Sequence, residues 1–265
     1  MRSQAAAIQQ WLISLGLSSG DRLALMIPNS VMWVAIDQAA AGLGIITVPL
    51  YPNDREDNVH YILEKTDSKL LLIDTYDQYE LSKNFLHEID ALEFIVTVNE
   101  IENTDLPVLT KLLKHENSTF KTDGCLYKDP ATIVFTSGTT GRPKGVVLSH
   151  RNILVNAADC CSAVPVTGND RLLSFLPLSH TFERTTGYYA PMLQGAEIAY
   201  TRSIDQLAED LQIMQPTILI SVPRIYERVF AKIEEQVQQK SALAQKLFAS
   251  AHQVGYKKFC YKQNT

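Results

Sequence analysis

The sequence predicts an α/β protein with largely parallel sheets, and three observations point to it. Strand-like β-branched runs and helix-like amphipathic runs alternate along the chain. The 265 residues, 46% apolar and 20% charged, suffice for a real core in one large domain or two small ones. A glycine- and hydroxyl-rich stretch, Thr136–Gly145, stands between two strand-like runs, and clefts at sheet ends are where ligands usually bind.

Residues 3–16 read as an amphipathic helix and Arg22–Ile27 as a strand. Pro28-Asn29-Ser30 supplies a turn and a cap for a helix over 31–42. Ile45–Leu50 is a β-branched strand. Asp54-Arg55-Glu56-Asp57 opens a helix to about residue 65, with its acids at the end the helix dipole favours. Strands follow at Lys69–Ile73, Phe94–Val98 and Ala131–Phe135, with helices between. Residues 100–128 are polar and turn-rich, carry a short helix near 106–115 and read as a surface connection. Val146–Leu148 is the strand after the glycine-rich stretch. A helix over 150–162 precedes strands near 171–175, 196–200 and 217–221, and helices near 182–193 and 204–214 separate these. Ser221 and Pro223 begin a long helical region, broken around Lys240-Ser241.

A net charge of −5 argues against a general nucleic-acid binder. The charge is uneven. Residues 222–265 carry eight Lys/Arg against three Glu, so the remainder carries −10. That basic tail is a solvated helix face, a face that meets another domain, or a peripheral contact with an anionic membrane. No signal peptide is visible, and the most apolar region, Val31–Leu50, is interrupted by Asp37 and Gln38 before it reaches membrane-spanning length. Cys125, Cys160, Cys161 and Cys260 have no CxxC spacing, which suggests reduced thiols in a cytoplasmic protein. His60, His87, His115, His150 and His252 are scattered without metal-ligand spacing and read as structural or surface residues.

The stretch Thr136-Ser-Gly-Thr-Thr-Gly-Arg-Pro-Lys-Gly145 is poor packing material and good material for a phosphate cradle. Gly138, Gly141 and Gly145 allow a tight turn and close ligand approach. Successive amides in such a turn form an anion-binding nest. Thr136, Ser137, Thr139 and Thr140 add hydroxyl donors, and Lys144 adds a compact positive charge. Pro143 before Lys144 and Gly145 after it exclude a Walker A loop. The dinucleotide fingerprint also fails, because Gly42-Leu43-Gly44 is followed by Thr47 where a third Gly or Ala belongs. No Gly-x-Ser-x-Gly elbow supports a hydrolase.

Thr136–Gly145 resembles the signature loop of the acyl-adenylate-forming (AMP-binding) superfamily. Leu176-Pro-Leu-Ser-His-Thr-Phe-Glu-Arg184 resembles the next family motif in its long-chain fatty-acyl form. Ser221-Val-Pro-Arg-Ile-Tyr-Glu227 is similar to a segment typical of long-chain fatty acid–CoA ligases. The last of these reads equally well as the first turn of a helix.

The resemblance implies a large domain of two α/β subdomains: a discontinuous one, 1–53 plus 168–265, and a second, 54–167, that carries the loop. Strands 22–27, 45–50, 171–175, 196–200 and 217–221 would then share one sheet, and 69–73, 94–98, 131–135 and 146–148 another. The implied activity is ATP-dependent conversion of a long-chain fatty acid to acyl-AMP and then to acyl-CoA, with ATP, Mg²⁺ and coenzyme A taking part. Lys144 and His180 are the implied catalytic residues. Thr136, Ser137, Gly138, Thr139, Thr140, Gly141, Lys144 and Gly145 would hold the ATP phosphates, and Thr136 would also approach the Mg²⁺. Phe182 is placed against the acyl chain. The plain alternatives are that His180 caps the following helix and Phe182 is core. Glu183 and Arg184 would form helix-end or cross-domain pairs. Family members continue with a further acidic metal ligand, a ribose-binding Asp and a small mobile C-terminal domain bearing a catalytic Lys. The resemblance thus implies an incomplete large domain, without the small domain and without turnover on its own. The alternative is a non-catalytic nucleotide-binding or interaction module that keeps the phosphate loop.

Overall fold

The computed structural model describes residues 1–113, 119–136 and 142–263. In chain order the elements are α1 (Arg2–Ser14), β1 (Arg22–Leu25), α2 (Val31–Leu43), β2 (Ile46–Pro49), α3 (Glu56–Thr66), β3 (Ser68–Ile73), α4 (Tyr76–Ser82), α5 (Phe85–Glu88), β4 (Phe94–Thr97), α6 (Leu109–Leu112), β5 (Pro130–Thr136), β6 (Lys144–Ser149), α7 (His150–Ala163), β7 (Arg171–Ser174), α8 (Thr181–Glu183), a π-helical stretch (Arg184–Tyr189), α9 (Ala190–Gln194), β8 (Glu197–Tyr200), α10 (Leu207–Met214), α11 (Pro223–Gln238) and α12 (Ala242–Lys262).

Six strands form one sheet in the order β4-β3-β1-β2-β5-β6, parallel throughout except for β6, which pairs antiparallel with β5 at the edge. The expected division of strands between two sheets is therefore corrected: β1 and β2 lie beside β3 and β5, not beside β7 and β8. The reason is burial. β1 and β2 each bury three of their four residues, Leu23–Leu25 and Thr47–Pro49, which requires neighbours on both edges and helices on both faces. β7 and β8 form a separate parallel pair. The expected strand at 217–221 is reduced to one isolated bridge, Leu172 with Ile218. There the Thr217 and Ile218 amides both donate to the Arg171 carbonyl, so the ladder does not propagate.

The core has two parts, one on each face of the six-stranded sheet. Trp33, Ile36, Leu23, Leu25 and Leu70 belong to one; Ala24, Val48, Leu63, Leu71 and Phe85 belong to the other. Their alternation along β1 and β3 is the two-residue period of a pleated strand. Capping follows the sequence. The Ser30 side chain accepts from the Trp33 amide, and Gly44 closes α2 at φ 72°. Ser149 and Asn152 form a capping box that starts α7 directly after β6.

Residues 1–220 form one unit and 221–265 a second. The second is a pair of helices, α11 and α12, begun by Pro223 and broken at 239–241 as the sequence predicts. Phe230 meets His252 within it, with ring centroids 5.5 Å apart. Among the described residues no helix is long and apolar enough to cross a membrane.

Candidate nucleotide and acyl site

Strand β5 ends at Thr136 and β6 begins at Lys144, and these two residues are register partners across the hairpin. The stretch between them thus leaves and re-enters the sheet at one point, at the C-terminal ends of the parallel strands. Ser137, Gly138, Thr139, Thr140 and Gly141 lie outside the described residues, as does His115. Thr136, Lys144 and Gly145 are exposed at the base of the hairpin. Gly145 faces the Phe135 ring, and a Cβ added there would stand 2.9 Å from the Phe135 Cζ. On the same arm, Arg142 stacks over the Tyr61 ring of α3 at 5.0 Å, which anchors the strand entry.

A cleft of about 140 Å³ adjoins this hairpin, lined among others by Leu50, Tyr51, Asp54, Phe135, Thr136 and Pro143. It lies at the carboxyl ends of β2 and β5, the location open α/β sheets favour for ligands. Burial, and then Asp54, push the Tyr51 hydroxyl above its ordinary pKa, so it stays a neutral donor on this cleft.

His180 caps the helical segment after it: its Nδ1 accepts from the Phe182 amide at 3.2 Å. The imidazole is exposed, and so is Phe182, at 43%. Phe182 is therefore not core; its ring is free to meet an apolar ligand. The next two residues turn inward. Glu183 and Arg184 are 1% and 3% exposed.

Arg184 sits at the centre of a polar cluster that spans four elements. It pairs with Asp37 of α2. It donates to the Thr132 hydroxyl of β5 at 2.8 Å and to the Thr47 hydroxyl of β2 at 2.9 Å. Trp33 and Tyr189 face the guanidinium at 5.1 and 5.6 Å. Asp37 also accepts from Thr47 at 3.0 Å, Tyr188 at 3.1 Å and Tyr189 at 2.6 Å. The π-helical widening over 184–189, in place of the expected regular helix, delivers two consecutive tyrosines to one carboxylate. Such widenings recur at functional positions. Burial works against the Arg184 charge, but Asp37 and the tyrosines more than offset it and hold the guanidinium above its ordinary pKa. Burial keeps the hydroxyls of Tyr188 and Tyr189 neutral.

Glu183 differs from its neighbour. Neither carboxyl oxygen has a hydrogen-bond partner. Burial pushes its pKa from 4.5 to about 7, moderated by the nearby Ser174 hydroxyl, which falls short of a hydrogen bond to either oxygen. The expectation of helix-end or cross-domain pairs is therefore corrected: Glu183 has no hydrogen-bond partner, and Arg184 pairs with Asp37 in the middle of α2, within the same expected subdomain. Asp37 was readable only as an interruption of an apolar run. A charge inside the most apolar helix is itself a signal, since a buried carboxylate demands a cation.

With this geometry in view, comparison with known proteins decides the family. The AMP-binding enzyme family matches residues 1–256. The chain belongs to it. Long chain acyl-CoA synthetase 7, peroxisomal, from Arabidopsis thaliana is 29% identical over 265 residues, a match covering 94% of this chain and 37% of that protein. Long-chain-fatty-acid–CoA ligase 1 from Homo sapiens is 31% identical over 234 residues, covering 80% of this chain and 33% of the human one. The chain thus spans about a third of the length of these relatives. Among solved structures, ATP-bound MatB from Rhodopseudomonas palustris shares the fold, with TM-score 0.73 at 23% identity over 85% of this chain and 44% of that one. The mixed α/β architecture of this AMP-binding chain, with its mostly parallel sheet, agrees with that likeness.

Proposed function

We propose that this AMP-binding chain supplies the phosphate-gripping and acyl-orienting part of a long-chain fatty acid–CoA ligase. The observation that carries the reading is the register pair Thr136–Lys144 at the base of the glycine-rich stretch, with Thr136 lining the cleft at the strand ends.

The chemistry asked of such a site is electrostatic. A fatty carboxylate attacks the α-phosphorus of ATP; the new C–O–P linkage forms as the bond to pyrophosphate breaks. An anion must approach a polyanion, and the leaving group gains charge, so preorganised donors and cations are the effective catalysts. Lys144 serves the β- and γ-phosphates together with residues 137–141, and Gly145 lets the strand pass close to Phe135. Mg²⁺ enters as part of the MgATP substrate. The exposed Thr136 hydroxyl is the group this chain offers to it. On the acyl side, His180 orients the carboxylate and Phe182, exposed and two residues on, meets the alkyl chain. In the second half-reaction the thiolate of coenzyme A attacks the acyl carbon, the C–S bond forms and AMP departs.

Hydroxylamine trapping with palmitate and MgATP, the chain being supplemented with the remaining part of a matched ligase, tests this reading. Acyl hydroxamate that disappears in Lys144→Ala is the expected result. Absence of product under every supplementation favours a module that binds nucleotide without catalysis.

A further inference from the structure

We propose that Arg184 is a positioning residue that couples the phosphate-loop strand to the acyl-contact segment. This inference rests on the ligase reading above and adds a residue and a route to it.

One guanidinium ties together the parts that must act in concert. Its backbone amide donates to the His180 carbonyl at 3.1 Å, so Arg184 closes the turn that carries His180 and Phe182. Its side chain donates to the Thr132 hydroxyl on β5. Thr132 lies four residues before Thr136, about 13 Å along the same strand. Thr132 in turn donates to the Thr47 carbonyl at 2.7 Å, so β2 and β5, the two strands that end at the cleft, are held by the same group.

A buried ion pair needs no such geometry for stability alone. Asp37 satisfies the Arg184 charge, and a lysine would satisfy Asp37. What a lysine cannot supply is the planar fork that reaches two strand hydroxyls at once. The fork makes the spacing between β5 and the His180 turn discrete, because a close-packed polar cluster has few alternative arrangements. A shift of β5 when phosphate occupies its loop is therefore transmitted to the segment that meets the acyl chain. By linkage, acyl occupancy acts back on the loop.

Trp33 reports on this cluster. Its ring faces the guanidinium at 5.1 Å, and at 1% exposure no ligand touches it directly. In a Trp11→Phe background, Trp33 is the only tryptophan left in the chain. MgATP is titrated while emission is followed with excitation at the red edge, and ATP binding is measured in parallel by equilibrium dialysis. The expected result is a saturable change in Trp33 emission with the same midpoint as ATP binding. Thr132→Val should abolish the emission change while dialysis still shows bound ATP, and Thr132→Ser, which keeps the hydroxyl, should retain it. Thr132→Ala serves the same arm if the valine variant lacks the wild-type unfolding transition. Bound ATP with a silent Trp33 in the Trp11→Phe parent, or an unchanged response in the variants without the hydroxyl, overturns the coupling. No bound ATP in the parent contradicts the nucleotide-site reading itself, and this inference falls with it.

Discussion

Gly187 lies directly against the carboxylate of Glu183, one turn back in the widened helix: a Cβ added at Gly187 would overlap both carboxyl oxygens. The glycine leaves room for an ionisable group that is buried and without a hydrogen-bond partner. Gly187→Ala must push Glu183 or the π-helical backbone aside. We expect a loss of about 1–3 kcal/mol, the usual cost of overpacking, read from urea unfolding midpoints. A variant as stable as the parent would mean that the carboxylate has other space to occupy.

Glu183 also makes a pH-dependent contribution of unusual sign. Its pKa is about 7 in the folded chain and returns toward 4.5 on unfolding. Between those values the folded state holds a proton that the unfolded state has released, so stability falls as pH rises through this window. Below it the carboxyl is neutral in both states and no penalty applies. Above it the penalty is complete, on the order of 3 kcal/mol. Unfolding free energies measured from pH 4.5 to 8 should show this downward slope, and Glu183→Gln should flatten it and be the more stable protein at pH 8. Parallel pH profiles for the two proteins would contradict the burial argument.

Asp37 and Arg184 make a second stability prediction. Asp37→Asn leaves the guanidinium buried and without a counter-charge, which typically costs about 3–5 kcal/mol. Chemical denaturation measures it. Asp37→Asn combined with Arg184→Met should recover part of that loss, because the charge no longer needs a partner. A double variant less stable than the sum of the singles would argue that the cluster is held by its neutral members.

Much of the local structure is legible from residue order. Ser30 and Pro223 mark helix starts, and the runs 69–73 and 131–135 read as strands because β-branched and apolar residues cluster there. Sheet membership is not legible in this way. The apolar run says that Arg22–Ile27 is a strand, but its neighbours depend on which other strands must also be covered on both faces. Ile218 shows the converse case, a β-rich run reduced to a single bridge by a shared carbonyl at Arg171. The site divides in the same manner. Thr136, Lys144 and Gly145 stand out as candidates by residue type and spacing. The Asp37–Arg184 pair joins positions 147 residues apart, and the π-helical register that lets Tyr188 and Tyr189 share one carboxylate has no sequence period of its own. Phe182 is apolar and beside buried residues, which suggests core; its exposure follows from the turn that sends Glu183 and Arg184 inward in its place.

If Thr136–Gly145 grips phosphate with Lys144 as its charge, calorimetric titration of MgATP into the chain should show saturable binding that depends on that side chain. A charge-assisted contact contributes about 1.5–3 kcal/mol, so Lys144→Ala should weaken saturable binding by about tenfold or more. The exposed side chain makes no demand on the core, and the unfolding transition should stay where it is. Equal affinity in the two proteins, or no saturable binding in either, would rule out phosphate binding through Lys144.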